Sequence, residues 1–262
     1  MHPLTTPSSS RHTLWSMEAS MATGILCATP EEFDALHHRF EFDSEPTTLA
    51  GFQFWRGYVP ERTRPIVLAQ SGIGKVNAAT LATIMFTTFG CEDLIFSGVA
   101  GALTDLEVGS VVLVTRGATH DYGLVSNGVF TCVPVGDLPL PGIAQPLQDL
   151  PCVPSEVEHT LELLRDRMAN KLAIRLGAVL SGDVFINCQE ARTRLQDMGG
   201  DIVDMESTAV LEVASRFGKG AYIIRTISDG AGDDSHLSYS EMVAIVAHNS
   251  AMCVEDLLTV MP

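Results

Sequence analysis

Two short runs constrain this chain most: Ile202-Val203-Asp204-Met205-Glu206-Ser207-Thr208-Ala209 and, further on, Arg225-Thr226-Ile227-Ser228-Asp229. Each reads as a strand that ends on a carboxylate. Strands of this kind, alternating with longer amphipathic stretches, build a sheet covered by helices, and neighbouring strand ends in such a sheet share one crevice. Glu206 and Asp229 can therefore meet at one ligand although they are distant in sequence. One acid would hold hydroxyl groups while the other gives a proton.

The rest of the chain repeats the alternation. Strands are expected at residues 25–28, 64–69, 93–96, 110–115, 173–180, 201–204 and 221–227. Pro30-Glu31-Glu32 opens a helix, with proline early and acids in the first turn, where the helix dipole favours them. A second helix follows Ser71-Gly72-Ile73-Gly74, with Leu81, Ile84, Met85, Thr88 and Phe89 on one face and Gly90 at its end. Ser97-Gly98-Val99-Ala100-Gly101 reads as a small-residue turn that a ligand can approach closely. Ser238-x-x-Glu241 reads as a capping box that starts the last helix. The expected fold is α/β: a single domain at residues 21–262 with a central twisted mixed β-sheet flanked by helices. Residues 121–155 break the rhythm, carrying Pro134, Pro139, Pro141, Pro146, Pro151 and Pro154 with little periodicity. A connection that long is expected to cover a site or a partner.

Composition narrows the partners. With 46% hydrophobic residues, 262 residues suffice for one large core. Thirty-two acidic residues against sixteen basic ones give a formal charge of −16, which argues against nucleic acid or an anionic membrane as the partner. A small neutral or cationic ligand suits the chain better. The six cysteines, Cys27, Cys91, Cys132, Cys152, Cys188 and Cys253, form no C-x-x-C pair, as expected of reduced cytoplasmic thiols. Residues 1–20 are polar, read as a flexible extension without a signal-peptide core, and Met17 and Met21 offer alternative starts. No stretch is expected to approach the roughly 20 apolar residues of a membrane span.

Four blocks carry a resemblance: Gly72-Ile73-Gly74-Lys75-Val76-Asn77-Ala78-Ala79, Ser181-Gly182-Asp183-Val184-Phe185-Ile186-Asn187, residues 203–209, and Ile227-Ser228-Asp229. In this order and spacing the chain resembles the 5'-methylthioadenosine/S-adenosylhomocysteine nucleosidases, within the purine nucleoside phosphorylase superfamily. The resemblance implies a catalytic set of Asp229, Glu206 and Glu32. Asp229 would be the general acid at purine N7, Glu206 would grip the ribose hydroxyls, and Glu32 would activate the attacking water, with the adjacent Glu31 leaving the register open. Met205 would pack on the sugar and Phe185 on the purine, with Ile186 reading the base edge by its backbone and Gly98, Val99 and Ser228 lining the site. The resemblance also implies a homodimer in which residues 121–155 close the 5' end, with Tyr122, Leu124, Val129 and Phe130 as apolar candidates. No cofactor and no metal are implied. The chemistry wants this set independently, because glycosidic cleavage builds positive charge on the sugar, which carboxylates stabilise, and a protonated acid eases departure of the base. Asp229 would need a raised pKa for that task.

Other readings compete. An acid at a strand end is often only a helix cap, Phe185 and Met205 would ordinarily be core, and Arg225 reads as one side of a buried ion pair. Asp233-Asp234-Ser235-His236 and His120-Asp121 could attract a cation but lack the ladder of a calcium loop, and His37-His38 point apart on a helix. No G-x-S-x-G elbow exists, and Gly72-Ile73-Gly74-Lys75 is not a P-loop. Phosphorolysis is the close rival of hydrolysis. Glu31 and Glu32 would repel phosphate, while Arg56, Arg62, Arg64 and Arg116 remain unplaced. A nucleoside storage or binding protein is a further alternative. The Gly98-Val99-Ala100-Gly101-Ala102 turn departs from the family's usual Gly-Ser-Ala-Gly-Gly, and 5' identity stays open among methylthioadenosine, S-adenosylhomocysteine, 5'-deoxyadenosine and a futalosine-type nucleoside.

Overall fold

The computed structural model describes residues 21–60 and 62–261, so the extension expected at residues 1–20 lies outside the described residues. In chain order the elements are β1 Ala22–Cys27, α1 Pro30–His37, β2 Glu41–Phe42, β3 Thr47–Leu49, β4 Phe52–Tyr58, β5 Ile66–Gln70, α2 Lys75–Thr87, β6 Cys91–Ala102 and β7 Val111–Thr119. There follow β8 Gly123–Ser126, β9 Val129–Cys132, α3 Ser155–Met168, β10 Ile174–Ser181, α4 Gln189–Asp197, β11 Ile202–Asp204, α5 Ser207–Phe217, β12 Gly220–Asp229 and α6 Ser235–Val260. The main sheet runs β11-β10-β7-β12-β6-β1-β5-β4-β2, with β3 on β4. β11 also pairs antiparallel with β6, so the order returns on itself through β10, β7, β12 and β6. The sheet is mixed: β1, β5, β6 and β12 run parallel, whereas β7 opposes β12 and β4 opposes β5.

Apolar side chains on both sheet faces explain why it is covered on both. On one side Leu81, Met85, Phe86 and Phe89 join Leu94, Phe96, Val210 and Ile223. On the other, Ile25, Ile95 and Leu113 meet Leu161 and Leu164 and the α6 residues Val254, Leu257 and Leu258. Helix α6 corrects one expectation: Ser238–Val260 is long and apolar enough to cross a membrane, yet half of it is buried against the domain, where it packs on β12, β6, α1 and α3. It is a core helix.

Three further expectations are corrected. Residues 97–101 are no turn but part of the C-terminal half of β6, because small residues there pair with β12 on one side while Gly101 and Ala102 pair with β11. Helix α6 begins at Ser235, before the proposed capping box, and its N-cap Asp234 makes no side-chain capping bond. Residues 121–155 are not without regular structure, since β8 and β9 form a hairpin across Asn127-Gly128, both at positive φ. Strands β2 to β4 and helices α3 to α5 were not singled out in the sequence.

Candidate active site

The carboxylates arrive from separate elements. Asp229 ends β12 just after a register shift that leaves Ser228 unpaired between Ile227 and Asp229, and such a bulge re-aims the following side chain. Its Oδ1 accepts the Ala231 amide at 2.8 Å and its Oδ2 the Ser228 hydroxyl at 2.8 Å, while Ser228 Oγ also lies 3.3 Å from Ala100 O. Glu206 stands between β11 and α5 and is buried. Its Oε1 accepts the Gly74 amide at 2.9 Å, a contact that Gly74 makes from a φ of 102° that disfavours other residues.

Glu32 serves two purposes. Its Oε2 accepts from the amides of Ala28 at 2.7 Å and Thr29 at 3.1 Å, completing a capping box with Thr29, while its Oε1 crosses to the Val99 amide at 2.9 Å. Glu31 is exposed on the helix surface, so the geometry turns Glu32, not Glu31, toward the cleft. Glu32 thus caps the helix and also lines the cavity.

Arg225 lies beneath these acids with 0% exposure. Its Nη2 meets Asp204 Oδ2 at 2.8 Å and Glu206 Oε2 at 3.4 Å, its Nε donates to Ser207 Oγ at 3.0 Å, and its guanidinium stacks 4.1 Å from the Phe96 ring centre. Burial works against its charge, yet Asp204, Glu206 and Glu32 hold its pKa above the usual value. Gly98 makes this crowding possible, since a Cβ there would stand 2.4 Å from both Arg225 Nη1 and Glu32 Oε1. Burial pushes the Glu206 carboxyl up to about 7; Arg225 and the Gly74 amide pull it down, and Asp204 adds to the rise. Glu32 is likewise raised by burial, with Arg225 and its three amide donors opposing.

These groups face a cavity of about 140 Å³ lined by Thr29, Glu32, Ile73, Val99, Phe185, Ile186, Met205, Glu206, Ser228, Asp229 and Tyr239. Gly98 sits behind this wall and acts through packing. Phe185 stands at the rim, 46% exposed, with its ring edge-on to Tyr239 at 5.9 Å. Tyr239 was missed because an aromatic at helical spacing ordinarily reads as core. A larger cavity of about 840 Å³ lies elsewhere, between α5, the start of α3 and residues 133–154. The smaller one is where four buried acids converge, Glu32, Asp204, Glu206 and Asp229, whereas Lys219 on the larger wall is paired with Glu92 at 2.7 Å. Of the unplaced arginines none lines the smaller cavity: Arg64 pairs with Asp93, Arg62 reaches Thr23, Arg56 lies over Tyr58 and Arg116 is exposed. Among the described residues no group of three His, Cys, Asp or Glu side chains could hold a metal ion. None of Tyr122, Leu124, Val129 and Phe130 lines the cavity of its own chain.

Comparison with known proteins is consistent in family. The family described as Phosphorylase superfamily matches residues 22–259. A 5'-methylthioadenosine/S-adenosylhomocysteine nucleosidase of Mycobacterium bovis is 31% identical over 92% of this chain and 98% of its own. An aminodeoxyfutalosine nucleosidase of Helicobacter pylori is 30% identical over 90% and 97%. Among solved structures, native futalosine hydrolase of Helicobacter pylori superposes with a TM-score of 0.79 at 25% identity, covering 92% and 99% of the two chains. The nucleosidase of the same organism holding butyl-thio-DADMe-Immucillin-A gives 0.78 at 27%, with the same coverage.

Proposed function

Because this chain belongs to the phosphorylase superfamily and its relatives are nucleosidases, we propose that Asp229, Glu206 and Glu32 are the groups with which it works. The chain is an N-glycosyl hydrolase that cleaves the glycosidic bond of an adenosine. One observation supports the assignment of residues: four buried carboxylates line one small cavity, and of these Asp204 is taken up by the buried Arg225 and two serine hydroxyls, which leaves Glu32, Glu206 and Asp229.

The geometry supports the following steps. The Ser228 hydroxyl on Oδ2 and the Ala231 amide on Oδ1 hold the Asp229 carboxyl in place at the cavity wall. Asp229 acts as the general acid that gives a proton to the departing purine. Glu206, anchored by the Gly74 amide and Arg225, holds the ribose hydroxyls and faces the positive charge that develops on the sugar. Glu32 takes the proton of the attacking water from beside the β1–α1 turn. Phosphate would have to enter a cavity whose acids already outnumber Arg225, which supports hydrolysis over phosphorolysis.

The substrate carries a 5' modification of the methylthioadenosine or S-adenosylhomocysteine kind. A futalosine-type nucleoside is the second reading, favoured by the similarity to futalosine-cleaving relatives. The 5' end is closed by a second copy of the chain, because residues 121–155 leave Val125, Val129, Leu138, Leu140 and Ile143 exposed and do not line their own cavity. Base release from a panel of 5'-modified adenosines, run beside sedimentation of the protein, tests both statements. A dimer whose preference among 5' groups changes on Phe130→Ala supports the reading, and a monomer whose ranking survives that change overturns the 5' closure.

A further inference from the structure

Next to the cavity, but outside its wall, lies a charge cluster that the proposed chemistry does not use. Helix α2 begins badly by local rules: its N-cap Gly74 has no side chain with which to cap, and Lys75 puts a cation where the helix dipole disfavours one. Tertiary partners correct both faults. Asp183 Oδ1 accepts the Lys75 amide at 2.8 Å, capping α2 from a segment distant in sequence. The Lys75 ammonium bonds Asp121 Oδ1 and lies 3.6 Å from Asp183 Oδ2, and Asp121 Oδ2 in turn accepts the Asp183 amide at 2.7 Å. Partial burial would raise the Asp121 carboxyl, but Lys75 and the Asp183 amide bring it below the ordinary carboxylate range. Behind the cluster, Gly182 packs so tightly on the His120 ring that a Cβ would come within 2.4 Å of it.

We propose that Lys75 is a positioning residue: by clasping Asp121 and Asp183 it fixes, relative to one another, the Gly74 amide that holds Glu206, the loop that presents Phe185 and Ile186, and the start of residues 121–155. The first two segments serve the cavity of this chain and the third the proposed 5' closure across the dimer, while Lys75 itself does not line the cavity. The inference rests on the nucleosidase reading for its kinetic consequence but not for its structural one. Removing one partner of a charge-assisted bond corresponds to a change of about tenfold or more.

The test compares the full chain with Lys75→Met and Lys75→Arg by site-resolved amide hydrogen exchange and by steady-state kinetics of adenine release from methylthioadenosine. In Lys75→Met the Gly74, Lys75 and Asp183 amides should exchange about tenfold faster while β1 and β6 keep their protection, and KM should rise about tenfold with kcat changed less than about threefold. Lys75→Arg should restore both. Unchanged exchange at the three amides, a loss of protection spread evenly over the chain, or a fall in kcat at constant KM would each overturn the proposal. If the wild-type protein released no adenine, the nucleosidase reading would fail while the exchange experiment still decided the role of Lys75.

Discussion

Replacing Arg225 with Met removes the cation on which the whole acidic floor depends. Asp204 and Glu206, with side chains 2% and 6% exposed, meet the guanidinium at 2.8 and 3.4 Å, and Glu32 adds to the same field. Withdrawing one partner from a buried pair costs about 3–5 kcal/mol. For a domain of this size that corresponds to a fall in Tm of roughly 6–20 °C. The pH dependence has a definite sign. Without Arg225 the folded-state pKa values of Glu206 and Glu32, already raised by burial, rise further. The folded variant then holds protons that the unfolded chain has released, so its stability falls as pH rises from about the unfolded carboxylate range upward. The deficit against wild type should therefore be largest above pH 7 and shrink toward pH 5. Urea unfolding of both proteins across that range measures it directly. Arg225→Lys, which keeps the charge but loses the Ser207 bond and the Phe96 stack, should cost about 1–2 kcal/mol. A deficit for Arg225→Met below about 1 kcal/mol at pH 8, or one that grows as pH falls, would refute this account of the floor.

Three other outcomes are expected. Asp229→Asn should lower kcat by about 10²-fold or more while adenine still binds by calorimetry, since an amide cannot supply the proton; near-normal turnover would remove Asp229 as the acid. Wild-type kcat/KM should climb with pH as Glu206 ionises around its raised pKa of about 7, and Glu206→Gln should lose both that limb and most of the activity. Glu32→Gln should cost about 10²-fold in kcat, whereas Glu31→Gln on the exposed helix face should stay within about threefold; equal losses would remove Glu32 as the group that activates the water.

Much of this site was legible in the sequence because its acids follow apolar strand runs, and strand ends point to a crevice in an α/β sheet. Asp229 and Glu206 needed no more than that to be placed together. The resemblance supplied Glu32, and the structure supplied its orientation. What stayed hidden depends on pairing across the sheet. Residues 97–101 look like a turn because glycine and alanine say little about strands, yet β12 and β11 pair with them and keep β6 extended. The hairpin at Asn127-Gly128 carried a usable local signal that the prolines around it obscured. Lys75 with Asp183, and Tyr239 with Phe185, are contacts between segments that no local pattern links.

The account stands most directly on what happens to the sugar when the base leaves. The protein should be incubated with methylthioadenosine in phosphate-free buffer and again with inorganic phosphate, and the sugar product identified by mass. Adenine released at the same rate in both, with a free reducing sugar, is the predicted result. A requirement for phosphate, or a sugar 1-phosphate as product, would contradict it.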